Sequence, residues 1–275
     1  MSSGTPPVAL TIAGSDSGGG AGIQADLLTF ASLGVHGTSA VTALTAQNTV
    51  GVTGVHVPPV EFLLAQVEAV LDDLPVAATK TGMLATEEVV RAVAGLAAAG
   101  RLPKLVVDPV LVSSTGARLL DPGAERAYRE ALFPHALVVT PNTWEATALL
   151  GTPVETVREA RDAACRLGDL GPAWVVVKGG HLADDGGDAV DVVYNTVTGE
   201  LSELRLPRIP TANDHGTGCT FGAATAAGLA RGAGVPDALD AAKRFVHAGL
   251  AASANWRLGA GHGPVGKLGA WSTAP

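Results

Sequence analysis

The chain alternates between short apolar runs and longer segments with the spacing of an amphipathic helix. VALTIAGSD, residues 8–16, is an apolar run that ends in a polar, glycine-rich loop, and AGIQADLLTFASLG, residues 21–34, follows it with helical spacing. TEEVVRAVAGLAAAG, residues 86–100, repeats the helical pattern, with Thr86 as its predicted N-cap and Gly100 as its stop. The alternation predicts strands that are joined by helices.

Three later apolar runs are alike. KLVVDPVL, ALVVTPN and WVVVKGG, which begin at residues 104, 136 and 174, each place Leu or Val residues directly before polar residues. Short runs of this kind between helices predict parallel strands that are buried on both faces. Residues 188–209 instead alternate across Thr198 and Gly199, which predicts a hairpin. We therefore expect an α/β fold, a three-layer α/β/α sandwich with a mostly parallel central sheet, in one domain spanning residues 1–275.

Composition narrows the functional classes. The net charge of −8 and the lack of a basic tract argue against nucleic acid as a partner. The two cysteines are far apart and give neither zinc-ligand spacing nor a disulfide framework. The N-terminus lacks a signal-peptide pattern, and no window approaches the ~20 apolar residues of a membrane span. We expect a soluble, cytoplasmic protein.

Polar side chains gather at or just after the predicted strand ends. In α/β folds, ligands bind beyond the carboxyl ends of the strands. Loops collect polar residues in every protein, so any one of these residues has that simpler explanation, but the set together favours an active-site rim. The residues concerned are Asp16, Gln47, Lys80, Asp108, Asn142, Lys178 and His181.

Familiar nucleotide and hydrolase motifs are absent. The glycines of SDSGGGAG, at positions 18, 19, 20 and 22, do not fit GxGxxG, and the chain has neither GxxxxGK[ST] nor GxSxG. These absences argue against a dinucleotide-binding loop, a P-loop NTPase and a serine hydrolase elbow. The glycine cluster by itself indicates only that backbone approaches a small ligand closely, just before a helix begins.

The sharpest local signal is TANDHGTGCTFGAATAAGLARG, residues 211–232. A helix that begins near Gly218 leaves its first N–H groups without intrahelical partners, which makes an anion site. Gly216 lets the loop bend around a phosphate, and the helix dipole is expected to favour the thiolate of Cys219. Cys219 is then a candidate proton acceptor in phosphoryl transfer, with a small buried space-filling residue as the alternative. Cys165, in the middle of a helix, is interpreted as structural.

Seven ordered segments resemble one family. AGSDSGGGAGIQADLLTF, TALTAQNT, KTGML, VVDPV, TPNTWEA, VKGGH and NDHGTGCTFGAA are similar to segments of the hydroxymethylpyrimidine/phosphomethylpyrimidine kinases of thiamine biosynthesis, in the ribokinase-like superfamily. The similarity runs from about residue 10 to residue 265. It implies phosphorylation of 4-amino-5-hydroxymethyl-2-methylpyrimidine and then of its monophosphate, with ATP and Mg²⁺, a monovalent cation as a further candidate, and a homodimer.

The resemblance also implies roles on the acceptor side. Gln47 corresponds to a residue that hydrogen-bonds the aminopyrimidine, and Asp26 to a second partner for the ring amino group. Met83 and Val110 correspond to apolar walls of the pocket, and Gly14 to a further substrate contact. The simpler alternatives are an amide that braces a turn for Gln47, a solvated helix carboxylate for Asp26, and plain core for Met83.

On the nucleotide side, the resemblance implies an NxxE element formed by Asn142 and Glu145, which organises hydrated Mg²⁺ and phosphate oxygens. A helix-capping arrangement would use the same two residues. Asp108 is implied as a metal ligand together with Glu145, or as a support of the loop before Pro109. Lys178 is implied to face the triphosphate. The implied anion hole and base are Gly216, Thr217, Gly218 and Cys219, with Thr217 also contacting the nucleotide.

Departures from the family pattern keep rival functions open. KTGML stands where KIGML is more usual, Asp214 stands where threonine is common, and the tail GHGPVGKLGAW lacks the histidine or asparagine often seen after GPV. Asp214 adds negative charge that could weaken ATP binding. A pyridoxal/pyridoxine kinase of the same superfamily is the nearest rival, and a non-catalytic pyrimidine-binding sensor is the second. A thiol-redox role for Cys219 is disfavoured, because the sequence offers no resolving cysteine nearby.

Overall fold

The computed structural model describes residues 4–111, 123–180, 182 and 187–267, so His181 of the predicted rim lies outside the described residues. The strands are β1 Val8–Ala13, β2 His36–Val41, β3 Leu44–Gln47, β4 Val52–His56, β5 Val76–Thr81, β6 Val106–Val107, β7 Val138–Val139, β8 Trp174–Gly179, β9 Asp188–Asn195 and β10 Glu200–Pro207. The helices are α1 Gly22–Ser32, α2 Val60–Leu71, α3 Glu87–Ala98, α4 Ala124–Ala127, α5 Thr143–Leu150, α6 Val157–Gly168, α7 Thr217–Ala230 and α8 Val235–Ser253. A π-helical turn, Tyr128–Leu132, and a 3-10 turn, Phe133–His135, continue directly from α4.

Eight of these strands form one sheet in the order β10-β9-β8-β7-β6-β5-β1-β2. The six strands from β2 to β8 in this order are parallel, and β9 and β10 extend the edge as the antiparallel hairpin that the sequence predicts. The segment TSAVTALTAQ, residues 38–47, contains the end of β2 and the whole of β3. Its second half, β3, pairs with β4 in a separate two-stranded sheet beside the carboxyl end of β1.

Two apolar clusters, one on each face of the sheet, make the three layers. Neighbouring residues of a strand point to opposite faces, so Val106 packs with α1, α7 and α8, while Val107 packs with the helices of the other face. Val138 and Val139 of β7 divide in the same way. The predicted burial of these strands on both faces is therefore confirmed.

Small residues and caps explain how the helices fit this sheet. The buried alanines of α7, among them Ala223 and Ala227, let that helix lie close to the strands. Thr86 caps α3 by accepting the Val89 N–H at 3.2 Å, and Gly100 ends it with φ of 69°, as the sequence predicts. Within the described ranges, no helix combines the length and the apolarity that a membrane crossing needs.

Candidate active site

The carboxyl ends of β6 and β8 bring Asp108 and Lys178 together. Lys178 Nζ lies 2.7 Å from Asp108 Oδ1, and Thr140 Oγ1 donates to the same oxygen at 3.3 Å. A Cβ built on Gly218 would lie 3.0 Å from Lys178 Nζ and 3.7 Å from Asp108 Oδ2. The first turn of α7 therefore lies directly against this ion pair, and any side chain at position 218 would crowd it.

The second oxygen of Asp108 has no hydrogen-bond partner among the described residues. Asp108 Oδ2 is buried, and it accepts no hydrogen bond from the described residues. An orphaned buried carboxylate oxygen is costly unless a cation or water completes it, so its chemistry fits a divalent cation. Within the described ranges no three His, Cys, Asp or Glu side chains converge as a ready-made metal cage. Asp108 therefore fits a divalent cation that takes its remaining ligands from phosphate oxygens and water.

Asn142 and Glu145 form the capping arrangement that the sequence analysis named as the alternative. Asn142 Oδ1 accepts the Glu145 N–H at 2.8 Å, and Glu145 Oε2 accepts the Asn142 N–H at 2.7 Å. Glu145 also accepts a bond from the backbone of Leu111. Burial raises the pKa of Glu145, with the nearby Asp108 adding to the effect and Lys178 opposing it. Both residues lie beside Asp108 and Lys178, and their contact with metal or nucleotide stays a prediction.

Cys219 occupies the third position of α7, and the backbone of Gly22 donates a hydrogen bond to it. Burial raises the pKa of the Cys219 thiol to about 11, because removing water from a thiolate outweighs the nearby Lys80 charge and the Gly22 bond. Burial therefore outweighs any contribution of the helix N-terminus to the stability of the thiolate. At neutral pH the sulfur carries its proton.

Asp26 lies at the base of the same region, in a buried ion pair that the sequence analysis did not predict. Lys80 Nζ donates to both of its carboxylate oxygens at 3.0 and 2.9 Å, and Thr11 Oγ1 donates at 2.6 Å. Both side chains are fully buried, so the alternative of a solvated carboxylate is wrong. Burial opposes the charge on Lys80, but the Asp26 carboxylate outweighs it and raises the pKa of Lys80. Asp26 thus bonds Thr11 of β1 and Lys80 of β5, and its implied contact with a ring amino group stays a prediction.

The glycine loop between β1 and α1 is organised by Asp16. Its carboxylate accepts the backbone N–H groups of Gly18, Gly20 and Ala21, and it lies 2.9 Å from Nε2 of His215. Burial opposes its charge, but these bonds hold the pKa of Asp16 below its usual range. Sequence reasoning missed His215, although it stands inside the same NDHGTGC motif as Cys219. The pair joins the glycine loop to the start of α7.

Three of the implied acceptor residues, Gly14, Met83 and Val110, lie against one another. Met83 packs with Ala43 and Val110 in a small apolar cluster. Gly14 donates its N–H to the Met83 carbonyl at 3.1 Å, and a Cβ on Gly14 would overlap the Met83 methyl group. Gln47, at the end of β3, is half-buried, and its amide nitrogen lies 3.4 Å from Nε2 of His215.

Asp214, one of the departures from the family pattern, turns towards the C-terminal segment. Its Oδ1 lies 2.8 Å from Nδ1 of His262, on the exposed side of the loop. The charge that was expected to weaken ATP binding thus has an immediate partner in the tail. The same tail runs back beside His215, whose N–H donates to the Gly263 carbonyl at 3.0 Å.

Substitution of Gly216 tests how closely the loop before α7 must approach the glycine loop between β1 and α1. Gly216 has φ of 83°, and a Cβ there would overlap the Gly20 carbonyl. Gly232, just beyond the other end of α7, has φ of 89° but open space around it. We expect Gly232→Ala to cost about 1–2 kcal/mol of unfolding free energy from backbone strain alone. Gly216→Ala should cost at least about 1 kcal/mol more of unfolding free energy, because Gly20 must move. It should also raise KM for the ATP that the resemblance implies roughly tenfold.

Chemical denaturation and steady-state kinetics of the two variants check this prediction. Equal losses of stability with an unchanged KM would mean that the contact between Gly20 and Gly216 does not shape the nucleotide site.

Comparison with known proteins assigns the chain to a family. A model of the phosphomethylpyrimidine kinase family matches residues 16–266. The hydroxymethylpyrimidine/phosphomethylpyrimidine kinase of Streptomyces coelicolor is 50% identical over 261 residues, which cover 95% of this chain and 94% of that protein. The phosphomethylpyrimidine kinase structure from Clostridium difficile 630 is 37% identical with a TM-score of 0.76, covering 88% of this chain and 98% of the other.

A second solved structure, the pyridoxal kinase of Bacillus subtilis in complex with ADP, is 37% identical with a TM-score of 0.86 and covers 96% of this chain and 98% of its own. These neighbours confirm the α/β/α fold as ribokinase-like. On the family match and the 50% identity to a curated member, the chain belongs to the phosphomethylpyrimidine kinase family.

Proposed function

We propose that this protein transfers the terminal phosphoryl group of ATP to the hydroxymethyl oxygen of 4-amino-5-hydroxymethyl-2-methylpyrimidine, and then phosphorylates the resulting monophosphate. The observation that carries the proposal is the packing of the first turn of α7, which holds Cys219, against the Lys178–Asp108 pair. The candidate proton acceptor Cys219, the N-terminus of α7 and the ammonium of Lys178 are then close enough to act on one transferring phosphoryl group. Membership of the phosphomethylpyrimidine kinase family supports the same chemistry.

The phosphoryl group is held by fixed positive charge in this proposal. The first N–H groups of α7 and the ammonium of Lys178 point at the phosphate oxygens, where negative charge grows during transfer. Gly216, Thr217 and Gly218 form the bend that lets those oxygens approach the backbone. Mg²⁺, which Asp108 would hold with Glu145 beside it, supplies further neutralisation of phosphate charge when bound.

Proton transfer falls to Cys219. The acceptor hydroxyl loses its proton as its oxygen attacks phosphorus, and the sulfur of Cys219 takes that proton when it is a thiolate. Because burial raises the pKa of this thiol to about 11, the thiolate is the minor form at neutral pH. The positive charges near the sulfur, of which Lys80 is the largest, favour that form.

Gln47 has the hydrogen-bonding capacity that an aminopyrimidine needs. Its Oε1 lies 3.3 Å from Thr45 Oγ1, but that hydroxyl has one proton and a shorter bond, 2.8 Å, to the Ser15 carbonyl. Its Nε2 approaches Nε2 of His215, which lies closer to the Asp16 carboxylate. The stronger partners therefore leave both ends of the amide able to bind a ring with a donor and an acceptor. Met83, Val110 and Gly14 supply the apolar wall.

Gln47→Ala is expected to raise KM for the pyrimidine at least about tenfold while KM for ATP changes little, since the substitution removes two neutral hydrogen bonds of about 1 kcal/mol each. Gln66→Ala is the matched control, because its half-buried amide bonds backbone atoms of Val41 and Phe62. Steady-state kinetics with each substrate varied in turn gives both constants. A rise confined to KM for ATP would contradict the assignment.

A pyridoxal kinase activity is the second candidate function. The observation that favours it is the TM-score of 0.86 to the Bacillus subtilis pyridoxal kinase, which exceeds the 0.76 for the phosphomethylpyrimidine kinase structure. Identity is 37% in both comparisons, so it does not separate the two substrates. The 50% identity to the Streptomyces coelicolor enzyme favours the pyrimidine.

Product identification tests the proposed reaction. The protein is incubated with ATP, Mg²⁺ and hydroxymethylpyrimidine, and the products are separated by anion exchange and weighed by mass spectrometry. The proposal predicts the monophosphate first and the diphosphate after it. Pyrimidine that binds but gains no phosphate would overturn the kinase and support the sensor.

A further inference from the structure

His215 stands directly before the turn formed by residues 216–219, and its ring reaches the glycine loop between β1 and α1. Its Nε2 lies 2.9 Å from Asp16 Oδ2, and the two side chains are 9% and 3% exposed. The Asp16 carboxylate is an acceptor here, since it also accepts three backbone N–H groups of the loop. Nε2 of His215 therefore carries a proton and donates it to Asp16.

The backbone and the ring of His215 are both held in place. Its N–H donates to the Gly263 carbonyl at 3.0 Å, and its carbonyl accepts the Val265 N–H at 3.0 Å. A Cβ built on Gly20 would overlap Cδ2 of the ring, so the imidazole packs directly against the backbone of the glycine loop. The imidazole is thus fixed relative to the C-terminal segment, the glycine loop and the start of α7.

The glycine loop that Asp16 organises also holds Gln47. Ser17 Oγ donates to the Gln47 carbonyl at 2.7 Å and accepts the Gln47 N–H at 2.8 Å. Thr45 Oγ1, two residues earlier on β3, donates to the Ser15 carbonyl at 2.8 Å. Asp16 lies between these two serines in the sequence, so a bond that holds Asp16 also holds the part of the loop that is bonded to β3.

The same ring lies beside the Gln47 side chain. Nε2 of His215 is 3.4 Å from the amide nitrogen of Gln47. His215 is therefore joined to Gln47 in two ways, by this direct contact and through Asp16 and its neighbouring serines. Because Gly216 follows His215 directly, the ring links the amide of Gln47 to the turn that begins the anion site.

We propose that His215 is a positioning residue, whose bond to Asp16 fixes the amide of Gln47 relative to the anion site at the start of α7. This role rests on the proposed function, in which Gln47 binds the pyrimidine. The hydroxymethyl group of the bound pyrimidine must reach the phosphoryl group held at α7. A misplacement of about 1 Å between reacting groups can lower a rate about 10²-fold, so the position of this amide matters for turnover.

The test compares His215→Phe in two backgrounds, the parent and Gln47→Ala. Phenylalanine keeps a ring against Gly20 but cannot donate to Asp16. With ATP saturating, kcat/KM for hydroxymethylpyrimidine should fall roughly tenfold in the parent, and by no more than Gln47→Ala itself causes. In the Gln47→Ala background the same substitution should change kcat/KM by less than about twofold, because the effects of residues that act through one contact do not add. A loss from weaker folding alone would be equal in both backgrounds.

Two further variants complete the test. His215→Gln should keep kcat/KM within about threefold of the parent, because its amide nitrogen can donate to Asp16 in place of Nε2. His262→Phe is the matched control and should leave kcat/KM unchanged, since it breaks a second His–Asp pair, 2.8 Å long, with Asp214 on the exposed side of the same loop. His215→Leu replaces the Phe variant if that one does not fold.

The outcomes distinguish this role from the proposed function. If the parent phosphorylates the pyrimidine, the role of His215 is overturned by an equal fall in both backgrounds, by no fall in either, or by a His215→Gln variant as slow as His215→Phe. A parent that transfers no phosphoryl group would overturn the proposed function, and this role with it.

Discussion

Cys219→Ala is expected to lower kcat by ~10²-fold or more, the usual scale for a lost general base, while KM for ATP and for the pyrimidine changes little. The side chain sits in the first turn of α7, beside the Lys178–Asp108 pair, and alanine keeps that turn intact. Alanine is also a good helix former, so the backbone donors of the anion site remain. Steady-state kinetics and equilibrium binding of both substrates measure the two effects separately.

Cys165→Ala is the matched control for this substitution. Cys165 lies on α6, and the charges that act on it come from Asp162 and Asp169, outside the candidate site. Its loss should leave kcat unchanged. If Cys219→Ala kept most of its turnover, the cysteine would be a packing residue and the proton acceptor would be another group.

Lys178→Met is expected to lower kcat by about 10²–10³-fold, the scale seen when one electrostatic donor to a developing charge is removed. The substitution also leaves the Asp108 carboxylate buried and unpaired, which costs about 3–5 kcal/mol of unfolding free energy. Lys243→Met is a close control, since Lys243 forms a 2.9 Å pair with Asp191 between α8 and β9 and is similarly buried. Chemical denaturation and kinetics on both variants, at a temperature where both remain folded, separate stability from catalysis.

The two variants should lose similar stability, and only Lys178→Met should lose the catalytic rate. Equal kcat values for Lys178→Met and Lys243→Met would show that Lys178 does not stabilise the transition state and is only a structural partner of Asp108.

Local patterns predicted most of the fold. Consecutive valines predict strands buried on both faces, because neighbouring side chains point to opposite sides of the sheet and each side has its own apolar cluster. Val106–Val107 and Val138–Val139 are the examples. The ends of α3 could be predicted from Thr86 and Gly100, because helix capping depends on residues that are only a few positions apart in the sequence. The Asn142–Glu145 element was ambiguous for the same reason, since one spacing serves both a cap and a metal site.

The charge pairs of the site were beyond sequence reasoning. Asp26 and Lys80 are 54 residues apart, and Asp16 and His215 are 199 apart. No local pattern records which distant side chain will neutralise a buried charge. The expectation of a favoured Cys219 thiolate did not include burial. The helix N-terminus can be recognised in the sequence, but the burial that outweighs it depends on how the whole chain packs.

The most direct test of the whole account is a coupled ADP-release assay with ATP and Mg²⁺ that compares three acceptors at equal concentrations. These are hydroxymethylpyrimidine, its monophosphate and pyridoxal. We expect turnover of both pyrimidines, with kcat/KM for each well above that for pyridoxal. A higher kcat/KM for pyridoxal, or no ADP release with any of the three, would contradict it.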